Sequence, residues 1–200
     1  MIIGNTFPAN AFLVFLAVLL AIRLGDSFLG VFPQSLLAAF LFLYAPVPRY
    51  WKKGLPAWIH RTDAKKTLGQ IFLFVFAGAV IYFVFLRIPL PSGMLPPERT
   101  APFSPFLAAQ FLLLAAFPEE VFFRGYLYDA FEEAGWEPVL PTSLLFAFAH
   151  VAMFPSPYRA LTFFPGLIFG WGRKVSGNIY IPIAVHFLYN LFLFVPGMRP

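Results

Sequence analysis

The chain has 200 residues, of which 60% are hydrophobic, 20% aromatic and only 12% charged, with 28 phenylalanines. A soluble domain carries about a quarter charged residues, so this composition excludes one and predicts an all-α, polytopic transmembrane helix bundle. The absence of cysteine excludes disulfides, a thiolate metal site and a thiol nucleophile. The net charge of +5 lies in clusters between apolar runs, where it sets membrane orientation rather than nucleic-acid binding.

Helical spans need roughly 17 to 25 apolar residues, which places about seven of them, near 7–24, 28–48, 68–88, 103–128, 138–154, 159–173 and 178–196. The fifth and sixth are short and read as tilted or partly re-entrant. The first apolar run, Ala11 to Leu24, has no basic residue before it and no small-x-small cleavage site, so it reads as a retained span rather than a signal peptide. Residues 1–200 read as one integral membrane domain whose motif-bearing core covers about 103–196.

The segment Pro46 to Thr67 holds Arg49, Lys52, Lys53, Arg61, Lys65 and Lys66 against Asp63 alone, with Trp51 and Trp58 as interface anchors. The positive-inside rule makes it a cytoplasmic loop. Pro89 to Pro105 is proline-rich with little charge and reads as an external loop, and Arg173-Lys174 then falls on the cytoplasmic side. The N-terminus is therefore expected inside and the C-terminus outside. Asp129, Glu132, Glu133 and Glu137, at the inner boundary after the fourth span, read as a solvated face.

Against this background, Glu119-Glu120 stands out, within the run FLAAQFLLLAAFPEEVFF from Phe106 to Phe123. One charge near the bilayer centre costs roughly 2.5 to 3.5 kcal/mol on insertion scales, so such groups face protein or a hydrated cavity. Arg124 follows Glu120 by four and can pair with it on one helix face. The other polar residues inside spans are His150, His186 and Asn190, the last two also four apart, and Phe146 stands four before His150. At 1.5 Å per residue, Glu119 lies about 10 Å from the inner face, His150 roughly 16 to 18 Å from the inner start of its span, and His186 about 12 Å from that of the seventh. These depths overlap in the inner half of the membrane and predict one site. A carboxylate with two imidazoles and an amide suits water activation: Glu as base, His to orient water or donate to an oxyanion, Asn as a fixed donor. Taken singly, each His reads equally well as a helix–helix hydrogen-bonding residue, and the Glu pair as a proton relay.

Glu119-Glu120-x-x-x-Arg124, Phe146-x-x-x-His150 and His186-x-x-x-Asn190 resemble, in order and separation, the three signature motifs of the CAAX protease and bacteriocin-processing family. The run FPGLIFGWGRKVSGNIYIPIAVHFLYN, with Gly166, Gly170 and Gly177, is similar to the small-residue helix before that family's last motif. The resemblance covers about Pro118 to Leu191. It implies an intramembrane glutamate protease with Glu119 as general base, His150 assisting, His186 and Asn190 stabilising the oxyanion, and Glu120, Arg124 and Phe146 in support. It implies no cofactor; zinc on Glu and two His is chemically possible but not favoured, and no HExxH occurs.

The expected partner is a protein or peptide substrate with a C-terminal or membrane-anchored segment, within a lipid bilayer and without nucleic acid. Eukaryotic members of the family cut after a prenylated Cys near a C-terminus. Short loops and compact size point instead to a bacterial inner-membrane protein, and some small bacterial relatives resemble sorting proteases that trim C-terminal anchoring tails. The competing classes are a non-proteolytic scaffold or bacteriocin self-immunity protein, and a proton-coupled transporter, against which the lack of an inverted repeat counts.

Overall fold

The computed structural model describes residues 7–54, 56–59, 63–85, 87–88 and 103–192. The described residues are helical, without strands: α1 Phe7–Asp26, α2 Val31–Tyr44, α3 Val47–Lys53, α4 Ala64–Phe85, α5 Pro105–Glu133, α6 Val139–Met153, α7 Phe163–Ser176 and α8 Tyr180–Phe192. Short 3-10 turns cover Ala57–Ile59 and Pro157–Thr162. Most of the expected external loop, residues 89–102, lies outside the described residues, as does the end of the seventh expected span beyond Phe192.

Each expected span contains a helix, but three helices are long and apolar enough to cross a membrane: Phe7–Gly25, Ala64–Val84 and Pro105–Glu133. Helices α6 and α8 are apolar but shorter. The helical character of the bundle therefore holds, while the number of spans is not fixed at seven. The second expected span is broken for a local reason. The chain turns at Ala45-Pro46, and Pro46, whose ring disfavours the interior of a helix, begins the separate α3.

The core is aromatic and aliphatic. Phe15 and Ile22 of α1, Phe122, Phe123 and Leu127 of α5, Phe146 of α6, Phe169 of α7, and Ile181 and Val185 of α8 are all at most 2% exposed and belong to one cluster. Helix α4 is peripheral and packs on α7 and α8. Its backbone is tied to α8 where the Tyr189 hydroxyl donates to the Phe74 carbonyl at 2.9 Å.

Both basic clusters gather at one end of the bundle, together with the acidic end of α5. Arg49 and Lys53 pair with Glu133, and Lys174 with Glu137. Asp129 departs from the expected solvated face. Its Oδ2 accepts from the Tyr50 hydroxyl at 2.9 Å and from Trp58 Nε1 at 3.2 Å, and its Oδ1 lies 3.7 Å from Arg173 Nη2. Burial, followed by the negative charge of Asp129, pushes the Tyr50 phenol up from its usual range, so Tyr50 keeps its proton and remains a donor. This junction also positions α8. The Trp58 carbonyl accepts from Ile179 N–H, the Ile59 carbonyl accepts from the Tyr180 hydroxyl, and Asn178 Oδ1 caps the helix by accepting from the Tyr180 and Ile181 amides.

Asp129→Ala would strand the Tyr50 and Trp58 donors and the Arg173 charge in a part-buried setting. It is expected to cost about 3 kcal/mol, read as a lowered thermal unfolding midpoint in detergent micelles. An unchanged midpoint would mean that the junction does not tie the helices together.

Candidate active site

The site forms where α5 departs from regular α geometry. Ser104 caps the helix by accepting from the Leu107 amide, and Pro105 follows at its first turn. The helix then widens into π geometry over Phe111–Ala116 and again over Val121–Leu127, with Phe117–Glu120 between the two stretches. Pro118 supplies a cause for the first widening. It has no N–H, and its ring crowds the carbonyl four residues before it. The wider turn, in which Phe117 N–H reaches the Leu112 carbonyl, accommodates both defects. Wide turns of this kind recur at functional sites in helices.

Glu119 and Glu120 are neighbours and so leave the helix in directions about 100° apart. Glu120 points into the bundle and is 0% exposed, whereas the side chain of Glu119 is 18% exposed. Oε1 of Glu120 accepts from Arg124 Nη1 at 3.1 Å, one turn on, and from His186 Nδ1 at 2.8 Å across from α8. Arg124 is also 0% exposed, and its Nη2 donates to the Gly166 carbonyl of α7 at 2.8 Å. One buried cluster thus joins α5, α7 and α8.

The glycine at 166 is required by this close approach. A Cβ there would lie 3.3 Å from Arg124 Nη2 and 3.4 Å from Phe146 Cδ1. Arg173 Nε donates to the Arg124 carbonyl at 3.2 Å, adding a second link between α5 and α7.

Phe146 is the hub of the aromatic shell. Its ring centre is 4.4 Å from the Arg124 guanidinium carbon, 4.4 Å from the His150 ring and 5.8 Å from the His186 ring. Both imidazoles therefore border the same phenyl ring. His150 Nδ1 donates to the Phe146 carbonyl at 2.9 Å; a carbonyl only accepts, so Nδ1 carries the proton and Nε2 presents a lone pair. Phe169 stacks on His186 with ring centres 4.7 Å apart and planes at 15°.

His186 Nε2 faces Glu119, 3.9 Å from its Oε2. That oxygen has no hydrogen-bond partner, and neither do Glu120 Oε2 and Arg124 Nε. The structure therefore brings Glu119, Glu120, Arg124, Phe146, His150 and His186 together. Asn190 lies one turn after His186, partly buried, and makes no hydrogen bond to the cluster. Among the described residues, no three His, Cys, Asp or Glu side chains converge as a set that could hold a metal ion.

The depth expectation needs correction. Helix α5 continues to Glu133 instead of ending near residue 128, so Glu119 lies at its middle, roughly 20 Å from either end at the α-helical rise. The inner-half placement assumed too short a helix. Sequence reasoning also missed the Gly166 carbonyl and the Phe169 stack. The signal for the first was present, since a buried guanidinium needs more acceptors than one carboxylate oxygen, and the glycine run of α7 is where a backbone can approach it.

Arg124→Met leaves the Glu120 charge buried without its main counter-charge and is expected to cost about 3 to 5 kcal/mol. Pairing it with Glu120→Gln removes that charge, so the double variant should melt above the single Arg124→Met variant. Additive losses in thermal unfolding would contradict the coupling.

Residues 101–192 match the family described as Type II CAAX prenyl endopeptidase Rce1-like. No curated protein and no solved structure matches the chain. The matched segment contains the Glu pair, Arg124, both site histidines and Asn190, and it begins before the Pro118 at which the sequence resemblance starts. With its long apolar helices, the match marks an integral membrane protein. Residues 101–192 are Rce1-like, and at the level of the family that is a peptidase.

Proposed function

We propose that the protein is an intramembrane glutamate-type endopeptidase. It hydrolyses a peptide bond near the C-terminus or in the membrane-embedded part of a protein or peptide substrate. The observation that carries this reading is the unequal state of the two carboxylates. Glu120 is committed to Arg124 and His186, while Glu119 keeps an oxygen with no partner, next to His186 Nε2.

In this mechanism Glu119 takes a proton from water as the water oxygen attacks the scissile carbonyl carbon. His150, with its Nδ1 proton held by the Phe146 carbonyl, offers Nε2 as an acceptor that orients the same water. The carbonyl oxygen becomes an oxyanion. His186 donates to it from Nε2, which requires a proton on both ring nitrogens because Nδ1 already donates to Glu120. In that protonated form the ring lies between Glu120 and Glu119. Asn190, one turn along the same face, supplies an amide donor after a side-chain rotation. Collapse breaks the C–N bond, and the proton held by Glu119 passes to the leaving amine. Glu120 and Arg124 are positioning residues, and Phe146 packs both imidazoles.

No cofactor enters this scheme, and Glu rather than zinc activates the water. The expected setting is a bacterial inner membrane with the N-terminus cytoplasmic, and the attractive subclass is a processing protease that trims C-terminal anchoring tails. The proposal is tested with purified protein in proteoliposomes and a mass-spectrometric screen of peptides, farnesylated CAAX sequences included. Glu119→Ala and His186→Ala should each lower cleavage at least about a hundredfold, with activity retained in a chelator. Wild-type turnover by either variant would rule the reading out, and loss of activity in chelator would replace Glu with a metal.

A further inference from the structure

Arg159 is the one charged residue of the turn Pro157–Thr162, which packs on α6 just beyond the end that carries His150. Its guanidinium carbon lies 4.8 Å from the ring centre of Tyr158 and 5.0 Å from that of Phe154, so two aromatic rings fix its position. Its Nε is enclosed and has no hydrogen-bond partner. Among the described residues, it forms no ion pair, and the sequence contains no Asp or Glu after Glu137. The charge of Arg159 nonetheless acts on both Glu119 and His150, which places it beside the site but outside ion-pair distance of Glu119.

An ordered guanidinium without a counter-ion is an anion-binding group, and its planar fork matches a carboxylate. The apolar ends of α5 and α6 favour substrates with few acidic side chains. The anion such a peptide always carries is its C-terminal carboxylate. We propose that Arg159 binds the C-terminal carboxylate of the substrate, so that the cut is made at a set distance from the chain end. This assignment rests on the protease reading and adds a determinant of specificity to it: the site would release a short C-terminal peptide instead of cutting within a long segment.

The test uses one peptide library in two forms, free acid and C-terminal amide, with the purified full chain in detergent and cut sites read by mass spectrometry. Wild-type protein should prefer the free acids by roughly ten- to a hundredfold, mainly in KM, as expected for a charge-assisted contact, with cuts at a common distance from the end. In Arg159→Gln that preference should fall to near one and the common distance should blur. Arg159→Lys, which keeps the charge but not the fork, should retain part of it. Equal cleavage of acid and amide by wild-type protein overturns the proposal without any variant, so misfolding of Arg159→Gln cannot shield it. Recovery of amidated peptides by a Glu placed near their end would overturn the C-terminal assignment in favour of an acidic side chain. No cleavage of any peptide by wild-type protein would instead remove the protease reading itself.

Discussion

A carboxylate and a guanidinium, both wholly removed from solvent, hold each other and one imidazole in the middle of the bundle. Each ion alone would carry a desolvation cost of several kcal/mol. The arrangement is tolerable because Glu120 Oε1 takes two donors, Arg124 spends its second amino group on the Gly166 carbonyl, and three aromatic rings surround the guanidinium. Such a cluster gives little net stability, but removing one member is severe. It therefore fixes the relative placement of α5, α7 and α8, and with it the direction in which His186 points.

That constraint separates two chemically identical neighbours. Glu120 has its charge and its geometry determined by partners from other helices. Glu119, one residue earlier, leaves the helix on a different side and remains within reach of His186 Nε2 without being bound by it. In the proposed mechanism the buried carboxylate holds the imidazole and the less buried one works on water. The same imidazole serves both, with one nitrogen toward each.

Much of this was legible in the sequence because its signals are local. A charge pair inside an apolar run, an Arg four residues on, and His-x-x-x-Asn on one helical face all follow from helical spacing. Composition alone showed a helical membrane protein. The missing parts depend on tertiary contacts. The acceptor for Arg124 is a backbone carbonyl, which has no sequence signature beyond the glycine that exposes it. Asp129 looked solvated because its partners, Tyr50, Trp58 and Arg173, come from distant segments. The depth of Glu119 was misplaced because α5 runs on to Glu133, through wide turns that hydropathy does not reveal. Asn190 illustrates the converse: its spacing put it on the right face, yet the described structure forms no bond from it to the cluster.

The most direct measurement compares Glu119→Gln with Glu120→Gln in the same preparation, reading peptide turnover and thermal unfolding for each. Both changes remove one negative charge and keep the side-chain shape. The account predicts that Glu119→Gln loses turnover while its unfolding midpoint stays near wild type, and that Glu120→Gln lowers the midpoint as well as activity. Turnover preserved in Glu119→Gln, or equal loss of stability in both, would contradict the division of roles between the two carboxylates.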